Sequence, residues 1–194
     1  MVWTAMTTGV RRGELCAIRL SSVDLTEGRE TLWLQRAVRR DPGVGWGEGG
    51  SKTHQQRRIA LDAETASVLR DQLARVRRRA EQIQVELSPE AYLFSPAPDG
   101  STFLTPAGVT ARYARMVARL GIETTLHKLR HYSATELIAA GVDPRTVAGR
   151  LGHGGGGTTT LKTYTAWVSE ADQRAARGIG ANALTSGGNR RGSA

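Results

Sequence analysis

The sequence predicts a mainly helical α+β domain with a small antiparallel sheet near residues 23–61. Three observations predict it. Leu69, Leu73, Val76, Ala80 and Ile83 recur at steps of four and three, which lays one apolar stripe along a helix. Thr31–Gln35 and Arg57–Leu61 are short runs with strand-like composition or alternation, the first reached through a Glu27-Gly28-Arg29 turn signal. Beyond residue 126, glycines at 141, 152 and 154–157 leave room only for short helices.

Each element follows from local chemistry. The chain opens in a helical pattern that Thr8-Gly9-Val10 interrupts, and Arg12–Ile18 resumes it with Leu15 and Ile18 three apart. Leu20–Leu25 reads as a loop and the start of a strand, paired in a hairpin with Thr31–Gln35. Residues 41–50, DPGVGWGEGG, are dense in glycine and read as loop. Arg57–Leu61 is the third strand, and Asp62 caps the long striped helix. Its arginines at 70, 75 and 77–79 lie mostly off the stripe and read as a solvated face. Ser88–Asp99, with three prolines, is a connector. Thr105-Pro106 starts a helix whose buried face is Val109, Tyr113, Met116 or Val117, and Leu120. A further helix runs from about His127 to Ala140 and stops at Gly141, and Asp143-Pro144 opens the next, which ends near Gly152. Thr158–Trp167 and Ser169 to about Leu184 are two more helical stretches, and residues 185–194 read as a disordered tail.

Composition narrows the function. The 194 residues carry 27 Lys+Arg against 18 Asp+Glu, a net charge of +9 and a pI near 10.7, which points to a polyanionic partner and first to nucleic acid. Only three of those cations are lysines, at 52, 128 and 162. Part of the arginine excess therefore reads as coding bias, and a lysine stands out in a chain whose default cation is arginine. A single cysteine, Cys16, excludes an internal disulfide framework and any zinc site built on several cysteines. No apolar run reaches the roughly 18 residues of a membrane-spanning helix, and Met1–Thr8 is too short and polar for a secretory signal.

The candidate site residues are individually ordinary. His127 and Arg130 share a helix face at a helix N-terminus, where phosphate is attracted. His127 and His131 stand four apart like a zinc pair, but Lys128 and Arg130 between them would repel the ion. Gly49-Gly50-Ser51-Lys52-Thr53 approaches a P-loop, yet Ser51 replaces the glycine before the lysine and a strand follows, not a helix.

In their order and surroundings, however, five segments match one pattern. Thr8-Gly9-Val10-Arg11-Arg12-Gly13-Glu14-Leu15 resembles the first arginine box of the tyrosine recombinases, the phage integrase family. Ser51-Lys52-Thr53 followed by Arg57–Leu61 is similar to that family's β-hairpin lysine segment. His127-Lys128-Leu129-Arg130-His131 resembles its His-x-x-Arg box, and Leu151-Gly152-His153 its third box. Thr159–Tyr164 is similar to the segment that carries its nucleophilic tyrosine.

The resemblance implies a tyrosine-recombinase catalytic domain that cleaves and rejoins DNA strands through a 3′-phosphotyrosine, with double-stranded DNA as partner and no metal or nucleotide cofactor. It implies Tyr164 as nucleophile, Arg11 and Arg130 as the phosphate clamp, and Lys52 as the acid that protonates the leaving 5′-oxygen. His127 would assist proton transfer, His153 would hydrogen-bond the phosphate, and Glu14 would hold the arginine and histidine in place. The family also has a helical core-binding domain ahead of the catalytic one and assembles four protomers on DNA through a C-terminal segment. Ten residues precede Arg11, so the expectation is a catalytic domain over 1–184 without that first domain, cytoplasmic and nucleoid-associated. The link at Gly154–Gly157 reads as longer and looser than in many relatives, which suits a tyrosine that swings in and out of register. The alternatives are a catalytically inactive DNA-binding remnant and, further off, a type IB topoisomerase-like relaxing enzyme.

Overall fold

The computed structural model describes residues 1–50 and 56–152. Lys52, His153 and Tyr164, the glycine link, the last two helical stretches and the tail lie outside the described residues.

Helices α1 (Val2–Thr8) and α2 (Arg12–Cys16) open the chain, separated by Gly9 at φ 63°. A Cβ at Gly9 would stand 2.4 Å from Leu151 Cδ2, so only glycine lets the start and the far end of the described chain approach this closely. A 3-10 turn at Leu20–Ser22 leads into β1 (Val23–Asp24), then β2 (Thr31–Leu34), β3 (Arg36–Asp41), β4 (Gly45–Gly50) and β5 (Arg57–Ala60). Four helices follow among the described residues: α3 (Ala63–Glu81), α4 (Pro106–Arg119), α5 (Leu126–Ala139) and α6 (Pro144–Leu151).

The strands form two antiparallel sheets, one in the order β1-β2-β5 and the other a β3-β4 ribbon. The ribbon corrects the loop expected over residues 41–50: Gly45–Gly50 pairs with β3 over six positions, from Asp41↔Gly45 to Arg36↔Gly50. Glycine is a poor strand former, but side-chain anchors override that propensity here. Glu48 on β4 accepts hydrogen bonds from Arg19 and from the Tyr92 hydroxyl, and Trp46 packs beside the second core cluster described below. Arg19 also sits 4.3 Å from the centre of the Tyr92 ring, and Tyr92 meets Phe103 edge to face. Burial first and Glu48 second push the Tyr92 phenol up to about 12. The Ser88–Asp99 connector thereby holds the ribbon in place.

Helix caps follow the sequence closely. The carboxylate of Asp62 accepts from Thr65 N at 2.7 Å, Thr105 Oγ1 accepts from Gly108 N, and Asp143 accepts from Arg145 N and Thr146 N. Leu69, Val76 and Ala80 are buried as the stripe predicts, but Ile83 is exposed because α3 ends at Glu81. Leu120 is likewise 63% exposed, a correction to the predicted face: α4 stops at Arg119 and Gly121 turns the chain at φ 66°.

The core has two main clusters that meet at α2. Leu15 and Ile18 join Leu32, Leu34, Ile59, Leu69 and Leu93. Cys16 and Ala17 join Val38, Val109, Tyr113, Val117 and Leu126. A five-residue helix buried on both sides is thus the joint of the domain, and Arg11 stands at its N-cap. Burial pushes the Cys16 thiol up to about 12. A small third cluster, Ala134, Val147 and Leu151, seats α6 against α5.

Candidate active site

Three of the predicted site residues, Arg11, His127 and Arg130, line one cleft of about 620 Å³, together with Arg12 and Thr110. They come from the α2 N-terminus and the first two turns of α5, more than a hundred residues apart in sequence. Thr125 caps α5 by accepting from Lys128 N, which starts the helix so that His127 and Arg130 fall on the cleft side. No acidic side chain is among the described residues lining the cleft. Three arginines and a histidine line it, and such a set of cationic donors can seat an oxyanion.

Arg130 is buried, and its guanidinium spans the site from behind. It donates to the Gly9 carbonyl and, at 2.7 Å, to the Leu151 carbonyl, so it ties the ends of α1 and α6 to α5. Arg11 is 38% exposed and donates to the Gly152 carbonyl and, at 3.1 Å, to Glu14 Oε1. Gly152 takes φ 70° beyond α6, and a Cβ there would fall 2.6 Å from Arg57 Nη1 and 3.0 Å from Arg11 Nη1. The third box therefore needs its glycine to let two arginines close on the backbone. The rings of His127 and His131 meet edge to face, 4.6 Å between centres. Burial, then the charges of His127 and Arg130, hold the His131 imidazole below its usual value.

Glu14, the expected supporting carboxylate, is 2% exposed. It contacts Arg11, and among the described residues its other side-chain partner is Arg57. Arg57 forks onto it, with Nη1 donating to Oε1 and Nη2 to Oε2, both at 2.8 Å. Arg11 N donates to Oε2 at 2.8 Å. Burial alone would raise the Glu14 pKa, but the hydrogen bonds and charge of Arg57, with those of Arg11, outweigh it and hold the carboxyl below its usual value. Arg57 Nε also donates to the Arg150 carbonyl at 2.7 Å, reaching the last turn of α6.

Arg57 is the site residue that sequence reasoning misses. The signal is present: in a strand, Arg57 is in phase with Ile59, which is buried, while Arg58 points to the other side and lies 4.7 Å over the Trp33 ring. An arginine on the core-facing side of a strand requires a buried partner.

Fold and cleft together place a cationic cleft at the joint of an α+β domain. The Phage integrase family model matches residues 1–170, and the chain belongs to that family. Among its relatives, transposase A from transposon Tn554 of Staphylococcus aureus is 31% identical over 158 residues, covering 80% of this chain and 40% of that protein. Tyrosine recombinase XerC of Myxococcus xanthus is 28% identical over 161 residues, covering 82% and 47%. The chain thus spans less than half the length of these relatives. Two solved structures share the fold. The Tn1549 transposon integrase in complex with transposon right end DNA has a TM-score of 0.66 at 22% identity, over 90% of this chain and 57% of that one. The XerA recombinase has a TM-score of 0.59 at 24% identity, over 81% and 49%. No helix among the described residues is long and apolar enough to cross a membrane.

Proposed function

We propose that residues 1–184 are the catalytic domain of a site-specific DNA recombinase or integrase, with 185–194 a tail, acting on double-stranded DNA in the cytoplasm at the nucleoid. The observation that carries this reading is the convergence of Arg11, His127 and Arg130 on one cleft without a carboxylate in its described lining. A phosphodiester carries one negative charge, and its transition state carries more on the non-bridging oxygens. Arg11 and Arg130 stabilise that charge. Tyr164 Oη attacks phosphorus, its proton passing to His127, and the 3′-phosphotyrosine forms as the bond to the 5′-oxygen breaks. Lys52 protonates that oxygen, and His153 donates to the phosphate. The bond energy stays in the phosphotyrosine, so the 5′-hydroxyl of another strand can reverse the step. Four protomers assemble on DNA, each passing Ser169–Leu184 to a neighbour.

The test is covalent trapping on nicked suicide duplexes drawn from a randomised library. The chain is expected to yield a protein–DNA adduct that survives denaturation, and Tyr164→Phe is expected to abolish it while duplex binding persists. An adduct that persists in Tyr164→Phe refutes the nucleophile assignment. Duplex binding without any adduct establishes an inactive DNA-binding remnant instead. Relaxation of supercoiled plasmid without strand exchange establishes a topoisomerase-like enzyme.

A further inference from the structure

Glu14 is the only carboxylate in direct contact with Arg11 among the described residues, and its placement poses a problem. A buried carboxylate 3.1 Å from a guanidinium meant to receive an anion competes for the same positive charge. With Arg11 Nη2 already donating to the Gly152 carbonyl, the pair left to itself would be neutral. Arg57 prevents this. Its fork supplies one donor to each oxygen of Glu14, and Arg11 supplies one more to each, from Nη1 and from its backbone N. Four donors fill the carboxylate's four lone-pair positions. The three side chains together carry a charge of +1, and the exposed member is Arg11. Arg57 is only 10% exposed, with Nε and both Nη groups engaged on Glu14 and the Arg150 carbonyl, so it is not placed to touch a substrate.

We propose that Arg57 is a positioning residue that saturates Glu14 and so leaves Arg11 charged and turned to the cleft for an anion. This rests on the reading of the cleft as a phosphate site, and it goes beyond that reading by assigning a role to a cation that does not meet the phosphate. Arg57 acts through charge on Glu14, so its loss can be cancelled by removing the charge it answers. A staple or a direct phosphate ligand has no such property.

The experiment uses residues 1–194, with inorganic phosphate as the probe at low ionic strength, followed through the Nε–Hε resonances of ¹⁵N-labelled arginine, and circular dichroism to monitor folding. Arg57→Gln is expected to weaken phosphate binding about tenfold or more, the scale of one nearby charge no longer neutralised. The double variant Arg57→Gln/Glu14→Gln is expected to recover binding to within about threefold of the unaltered chain, because neither charge remains. Arg57→Lys keeps the charge but loses the fork, and is expected to weaken binding only in part, clearly less than Arg57→Gln. If Arg57→Gln does not fold, the double variant and Arg57→Lys still decide. A double variant as weak as Arg57→Gln, or a double variant that binds no phosphate when Arg57→Gln is unfolded, overturns the proposal. So does Arg57→Lys losing about tenfold, or an unaltered chain whose Arg11 resonance does not respond to phosphate. Adduct formation on the nicked duplexes is measured in parallel and is expected to follow the same order. If no chain forms an adduct while the phosphate order holds, the strand-cleaving reading fails and the role of Arg57 stands. If adducts form and the double variant is not rescued, the reverse is true.

Discussion

Glu14 concentrates the physical chemistry of the site in one carboxylate. Its pKa is held below the unfolded value of 4.5 by Arg57 and Arg11, against the opposing effect of burial. A depressed folded pKa contributes stability that is complete above the unfolded value and is lost as pH falls through the folded one. The chain should therefore lose stability in acid below about pH 4.5, with part of that loss belonging to Glu14 alone. Glu14→Gln should be less stable at pH 7 by about 3 kcal/mol or more, since it strands Arg57 in a buried position beside Arg11. Urea unfolding from pH 7 down to pH 3 measures both: the two curves should converge at low pH, and parallel curves would show that the carboxylate does not titrate as described.

The elements differ in how plainly the sequence encodes them. The caps at Asp62, Thr105 and Asp143 were legible because a capping side chain acts within three residues. The α3 and α4 stripes were legible except at Ile83 and Leu120, where the period continues in sequence after the helix has ended. The β4 strand was not legible. Its glycines carry no pleat pattern, and what makes it a strand is Glu48 meeting Arg19 and Tyr92, contacts that span 29 and 44 residues. The same reason hid Arg57, whose partner Glu14 lies 43 residues away. Glu48→Ala removes the anchor of the ribbon and leaves β2-β5 its own hydrogen bonds and core side chains. Hydrogen exchange should then accelerate at β3-β4 amides while β2-β5 amides keep their protection. Equal acceleration in both sheets would mean that the ribbon is held by something else.

At the scale of the whole molecule, the net charge of +9 acts through a few placed arginines. Arg11 and Arg12 face the cleft together, and Arg12 is steadied by donating to Thr110 Oγ1 at 2.7 Å. Duplex binding by residues 1–194 should weaken linearly on a log–log plot against salt, with a slope of roughly −0.9 per phosphate neutralised. Arg12→Ala should reduce that slope by about one, whatever the DNA sequence, and a fluorescence titration at several salt concentrations reads it directly. An unchanged slope would remove Arg12 from the contact surface. The four arginines at 75 and 77–79 on α3 give a contrast: Arg79 donates to the carbonyls of Ser95 and Pro96, which ties it to the protein's own backbone.

Cys16 has a practical consequence. It is the chain's one cysteine, sealed in the second core cluster where α2 meets the first, with its thiol held protonated at neutral pH. Maleimides and iodoacetamide attack thiolates, so the folded domain offers them almost nothing. A cysteine introduced at Val44, the 87% exposed tip of the ribbon, would take a fluorophore without competition from the native thiol. The unaltered chain serves the opposite purpose. Any alkylation of Cys16 in dilute denaturant records an opening of the α2 joint, so a pulse-labelling time course becomes a clock for how often the two cores part.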